Sequence, residues 1–164
     1  MVRFKNRWIL FEVIWEKSLV DSTVDGKYLP AAQGDFVLSS RDLIGMIKDA
    51  VLHNFGDYGQ GCVQSSLSIK YFSAHTNIGI LRVSRDHFRM AWGALTFIKQ
   101  ICGRQCMIRV IHNGGTIKKC QHAAIEYDRE QILALAKRHE SKGRNFPSDQ
   151  LLIESKNHIM SIEN

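Results

Sequence analysis

Apolar and polar residues follow each other in patterns that divide the chain into extended and helical stretches. Within residues 3–16, Ile9, Phe11, Val13 and Trp15 interleave with Trp8, Leu10, Glu12 and Ile14. Successive side chains of a strand point to opposite faces, and both sets are largely apolar. The pattern therefore predicts a central strand covered on both sides. Residues 17–38 lose the pattern: DSTVDGKYLPAAQGD mixes Asp, Ser, Gly and Pro, and reads as a long loop or insertion. Ser39 or Ser40 then caps a helix to about Phe55, with Leu43, Ile44, Ile47, Ala50 and Val51 as its apolar stripe. Gly56, Gly59 and Gly61 punctuate a turn.

A strand is predicted over about 63–71, with Val63, Ser65, Leu67, Ile69 and Tyr71 on one face and Gln64, Ser66, Ser68 and Lys70 on the other. One polar face suggests a strand near a sheet edge. Through Ala74–Asn77 it leads to Ile78–Val83, its hairpin partner. Ser84 caps a second helix to about Cys102, in which Phe88, Ala91, Trp92, Leu95 and Ile98 recur at helical spacing. Trp92 is read as a core anchor, whose truncation to alanine would cost about 3–5 kcal/mol. Gly103 ends that helix, and residues 105–112 form the last strand, with Cys106, Ile108 and Val110 opposite Met107 and Ile111. Thr116 caps a helix over 117–127, and Asp128 starts another to about Arg138, with Gln131 in the capping-box position. Beyond Glu140 the chain is polar, apart from Leu151, Leu152, Ile153, Ile159, Met160 and Ile162, which either dock as a small helix or order with a partner.

The order strand, helix, strand, strand, helix, strand, then helices predicts an α+β fold of the ferredoxin-like (split βαβ, RRM-like) kind. That plan has a four-stranded antiparallel sheet with two packed helices, here with extra C-terminal helices. Residues 1–139 form a single domain carrying the 17–38 insertion, and 140–164 a C-terminal tail. The length of 164 residues suits one domain, and 45% apolar with 23% charged content excludes a disordered or collagen-like chain. No uncharged apolar run is long enough to span a membrane as a helix, and Glu12 and Glu16 interrupt the stretch that would have to serve as a signal sequence.

The net charge of +6 is unevenly spread. Residues 61–125 carry nine Lys/Arg against one acid, Asp86; residues 1–60 carry seven against eight, and 126–164 six against seven. A concentrated positive field suits a polyanion such as nucleic acid. Cys62, Cys102, Cys106 and Cys120 show no disulfide framework, and with His112 and His122 they match no usual zinc spacing. They are read as buried structural thiols.

Phosphate-loop, Rossmann, HExxH and GxSxG signatures are absent. Small acylphosphatase-like enzymes share the predicted plan and hold phosphate with an Arg after the first strand, but residues 17–38 contain no Arg. RNA-recognition modules stack bases on aromatics of the central strands, yet NIGILRVS carries none, so contacts to phosphates are the better expectation. Three features point there. Arg3, Lys5 and Arg7, at i, i+2 and i+4, project from one strand face. Asn113-Gly114-Gly115-Thr116 precedes a helix, whose free amides and dipole favour an anion, while Lys118 and Lys119 in its first turn oppose that dipole unless an anion compensates. Arg85 and Arg89 lie four apart on the polar side of the second helix.

MVRFKNRWILFEV, SLSIKYFSAHTNIGILRVSRDHFRMAWGALTFI and HNGGTIKKCQHAAIEYDREQI together resemble the processing-of-precursors subunit-five family of ribonuclease P and RNase MRP proteins, over most of residues 1–16 and 39–139. The resemblance implies a non-catalytic RNA-binding subunit that stabilises a catalytic RNA core, in particles that mature precursor tRNA and process precursor rRNA. The RNA and its Mg2+ ions would carry the chemistry, with no cofactor bound by the chain itself. Partners would be the ribonuclease P and RNase MRP RNAs, the thirty-kilodalton ribonuclease P protein subunit and other subunits, with no membrane. The insertion and tail exceed the compact archaeal pattern, which implies a eukaryotic member located in the nucleus and nucleolus. The alternatives are a protein-interaction module of another ribonucleoprotein and an acylphosphatase-like enzyme.

Overall fold

The two apolar sets of the first strand set the architecture. In the computed structural model, which describes residues 5–16, 23–24, 27–28, 38–141 and 147–162, β1 (Asn6–Trp15) is buried from Trp8 to Trp15. Ile9, Phe11, Val13 and Trp15 enter one core, and Trp8 and Leu10 enter another on the opposite face. A ribbon of two-residue strands, β2 (Thr23–Val24) and β3 (Lys27–Tyr28), lies within the predicted insertion. Then come α1 (Ser40–Gln64), β4 (Ser68–Ser73), β5 (Ile78–Ser84), α2 (Phe88–Phe97), β6 (Gln100–Ile101), β7 (Arg104–Gly114), α3 (Ile117–Ser141) and α4 (Ser148–Met160).

The main sheet is antiparallel and runs β4-β5-β1-β7-β6, so β1 is central and β4 an edge, as the patterns predict. It has five strands rather than four. The fifth arises because α2 ends at Phe97, where Ile98 turns extended, and Gln100 and Ile101 then pair with Gln105 and Arg104. Cys102 and Gly103 close that hairpin with φ of 47° and 78°, so Gly103 serves a strand turn and not a helix end. The helix also starts late. Ser84 still belongs to β5, and His87 at the N-cap makes no side-chain bond.

Ser39 caps α1 as expected, its Oγ accepting from the Asp42 amide at 3.1 Å. Gly56 (φ 66°, ψ −168°) breaks the helical backbone directly after Phe55, where the pattern ends the helix; a further helical segment then runs to Gln64 in place of the expected turn. A Cβ on Gly59 would lie 2.4 Å from Phe55 Cβ, so the resumed turn packs closely, with Val63 buried. Residues 63–67 are thus helix end and turn, not strand. Within β4 the pairing with β5 shifts between Ile69 and Tyr71. The extra residue, Lys70, makes a bulge that sends Ile69 to the first core and Tyr71 to the second. Simple alternation had put both on one face.

Trp92 is 40% exposed and not a core anchor; Ala91, Ala94, Leu95 and Ile98 fill that role. Of the predicted stripe, Ala91, Leu95 and Ile98 are buried and Phe88 packs against the same core, while Ala94 takes the place given to Trp92. Trp92→Ala is expected to lose about 1 kcal/mol in urea unfolding, because only part of the ring leaves water. A loss near 3–5 kcal/mol would restore the buried placement.

The second face is covered by α3 and α4. One continuous helix replaces the two predicted over 117–138. Asp128 is 2% exposed and accepts from Ser155 Oγ on α4, so its carboxylate faces a packed neighbour rather than capping a new start. The tail docks: Ile159 is fully buried in the second core. Gln121 on α3 donates its amide to the carbonyls of Ile159 (2.8 Å) and Ile162 (3.1 Å), satisfying the free end of α4.

Candidate nucleic-acid interface

Pairing places the start of β1 beside the end of β5 and the end of β7. Arg7 is opposite Val83, and Trp8 is opposite both Arg82 and Gly114. Lys5 lies just before β1 and is exposed; its carbonyl accepts from the Arg85 amide at 2.8 Å. Arg7 is half-buried, with its guanidinium 5.8 Å from the centre of the Phe88 ring. That cation–π contact fixes the arginine over the first turn of α2.

The same guanidinium lies against the loop into α3. A Cβ built on Gly115 would stand 2.8 Å from Arg7 Nη1. A side chain at 115 would push the tip of Arg7 aside, so glycine leaves room for this approach, and Arg7 and the start of α3 share one end of the sheet. Thr116 caps α3, its Oγ1 accepting from the Lys119 amide at 3.5 Å. Lys118 and Lys119 are exposed, and no acid stands in the first turn. Gly114 is buried and Asn113 half-buried, with Asn113 paired to Ile9. Arg89 is exposed just after Phe88, and Arg3 lies outside the described residues.

Lys5, Arg7, Arg85 and the Gly114–Lys119 segment thus meet at one sheet end, although they come from three separate parts of the chain. Their charges face water beside the amide end of α3, an arrangement that suits phosphodiester oxygens. Sequence reasoning missed Phe88 as the platform of Arg7 and Arg82 as a further cation of this end. With its amide oxygen turned to the guanidinium, Asn6 accepts from Arg82 Nη2 at 3.0 Å. The i, i+2 placement of Arg82 relative to Ile80 on an apolar strand was the available signal.

A second polar cluster lies inside the sheet–α3 layer. Glu12 is 3% exposed, and its Oε2 accepts from Arg109 Nη2 at 2.8 Å and from Tyr127 OH at 2.9 Å. Burial raises the Glu12 carboxyl above its usual value, against the pull of Arg109. Burial, with the Glu12 charge, pushes the Tyr127 phenol up to about 12. The unfolded chain then ionises Glu12 first, so this group lowers stability as pH climbs from its ordinary value of 4.5 to its native one. Glu12→Gln is expected to gain stability relative to the parent over that rise. Urea midpoints of both proteins between about pH 4 and pH 7 test this, and a pH-independent difference would contradict it.

The cysteines are free. Burial pushes the Cys120 thiol up to about 12 and the half-buried Cys106 to about 11, whereas Cys102 is exposed and departs from the expected buried set. Among the described residues, no three His, Cys, Asp or Glu side chains converge to hold a metal ion.

The sequence model of the Rpp14/Pop5 family matches residues 7–125, from Arg7 in β1 to the middle of α3. The chain belongs to the Rpp14/Pop5 family. Among its relatives, the ribonuclease P/MRP protein subunit POP5 of Schizosaccharomyces pombe is 46% identical over 134 residues, covering 80% of this chain and 91% of that one. The Homo sapiens POP5 subunit is 30% identical over 139 residues (82% and 77%), and that of Saccharomyces cerevisiae 32% over 133 residues (76% of each). A chain in the cryo-EM structure of yeast Ribonuclease MRP superposes with a TM-score of 0.51 at 8% identity, over 82% of this chain and 98% of that chain, a likeness of fold alone. The Rpp14/Pop5 match contains Arg7, Arg85, Phe88, Gly115, Lys118 and Lys119, and stops before Asp128 and α4.

Proposed function

We propose that this chain is a non-catalytic RNA-binding protein subunit of ribonuclease P and of RNase MRP. The observation that carries the proposal is the meeting of Arg7 with Gly115 and the capped start of α3 at the cationic sheet end. Lys5, Arg7, Arg85, Lys118 and Lys119 neutralise RNA phosphates, and Gly114, Gly115 and Thr116 shape the amide-rich start of α3. Arg3 and Arg89 extend the same field. The catalytic RNA and its Mg2+ cleave precursor tRNA, while this chain fixes RNA segments against each other. The strand order of β4, β5, β1 and β7 suits a ferredoxin-like plan, to which β6 is an addition.

Exposed Leu52, Tyr58, Trp92 and Phe97 on α1 and α2 offer an apolar face for a protein subunit, here assigned to the thirty-kilodalton one. The nucleus and nucleolus are the compartments that this reading requires. Affinity purification of the tagged native chain, with sequencing of the retained RNA, tests the proposal. Enrichment of the ribonuclease P and RNase MRP RNAs is expected. A particle that holds proteins and no such RNA would overturn it.

A further inference from the structure

The β4–β5 hairpin, α3 and α4 enclose a cleft of about 220 Å³ at the far side of the second core. Among the described residues its walls include Phe72, Ile132, Leu135 and Leu151, two carboxylates (Asp128 and Glu154) and two histidines (His75 and His158), with no lysine or arginine. In a chain with a net charge of +6, that local sign is reversed.

Two lining side chains are buried without full satisfaction. Asp128 and Thr76 are each 2% exposed. One Asp128 oxygen, Oδ2, accepts from Ser155 Oγ, which also lies 3.4 Å from Tyr71 OH. Asp128 Oδ1 and Thr76 Oγ1 have no hydrogen-bond partner among the described residues. Leaving such groups unpaired out of water is unfavourable, most of all for a carboxylate.

We propose that this cleft binds a primary alkylammonium group. The carboxylate and the threonine oxygen supply acceptors for the ammonium hydrogens, and Ile132, Leu135 and Leu151 flank its alkyl stem. Only one Asp128 oxygen lacks a partner, and it is buried, so a compact ammonium is served better than the two-pronged fork of a guanidinium. No three-ligand cluster among the described residues suits a metal ion instead. The ammonium belongs either to a free polyamine or to a lysine side chain of a neighbouring protein.

Backbone amide shifts of the 15N-labelled full chain, titrated separately with putrescine, Nα-acetyl-lysine amide and butanol, test the proposal. Saturable shifts within 71–76 and 128–135 are expected from an amine and not from its neutral analogue butanol. Response to putrescine alone assigns a free polyamine; response to the lysine derivative assigns a protein side chain, and either upholds the site. Asp128→Asn should weaken binding by about tenfold or more. Leu151→Trp, which fills the cleft and leaves Asp128 in place, should abolish the shifts in a chain that still folds, and so covers the case in which the Asp128 variant does not. No saturable shift with either amine, an equal response to butanol, or undiminished binding in the Leu151 variant would overturn the site.

Discussion

Phe11→Ala is expected to destabilise the fold by about 3–5 kcal/mol. Phe11 is fully buried at the centre of the sheet and stands opposite Gly79 on β5. Its ring lies over that glycine: a Cβ there would be 2.3 Å from Phe11 Cζ and 2.8 Å from Cε1. The ring covers backbone that no other side chain at position 79 shields, so its removal leaves a cavity and exposes the strand. Gly79→Ala alone should also destabilise, by about 1–3 kcal/mol, because the ring is fully buried in the same core as Leu43, Ile47 and Leu95 and cannot move aside into water. In the Phe11→Ala background the added methyl enters the cavity instead. The double variant should then be less impaired than the sum, by about 2 kcal/mol. Urea unfolding of the four proteins measures this coupling, and strict additivity would show that ring and glycine do not share the space.

The second large effect concerns RNA. Replacing Arg7, Lys118 and Lys119 together by alanine should weaken binding of the ribonuclease P RNA and flatten its salt dependence. Each lost phosphate contact removes about 0.7–0.9 from the slope of log affinity against log salt, so about two to three units are expected if all three touch phosphate. Lys118→Ala with Lys119→Ala, which leaves the Phe88 contact intact, should produce about two-thirds of that change. Anisotropy titrations across a range of potassium chloride give the slope. A parallel shift, weaker at every salt concentration but equally steep, would mean that these cations act through folding and not through phosphates.

Much of the sheet was legible because its signals are local. Alternation along β1 revealed both cores, and the apolar runs of β4 and β5 around a short connection revealed the hairpin and the edge. What escaped depends on contacts distant in sequence. Gly56 reads as a break and is one, but Gly59 and Gly61 lie in a further helical segment, whose Val63 is buried and whose Gly59 packs against Phe55. Asp128 read as a cap, and became a buried acceptor because α4 brings Ser155 against it. Lys70 shifts the alternation of β4 through pairing with β5, which no single strand discloses. Trp92 lies at the margin of an otherwise correct stripe: on a ten-residue helix the pattern leaves open whether Trp92 or Ala94 completes the buried face.

The cationic end was legible by residue and not by assembly. Charge density and the Gly-Gly-Thr turn named Arg7, Gly115 and Thr116 separately, and their convergence follows from β1 lying between β5 and β7. Phe88 looked like one more member of an apolar stripe; only the fold turns it under Arg7. Glu12 gave a plain signal, an acid inside an apolar strand, and its partners Arg109 and Tyr127 lie 97 and 115 residues away.

Crosslinking of the purified native particle, with the RNA-linked peptides located by mass spectrometry, tests most directly whether this sheet end holds RNA. Links concentrated at Lys5–Arg7, Arg85–Arg89 and Asn113–Lys119 are the predicted result. Links confined to the exposed face of α1 and α2, with none at the start of α3, would contradict it.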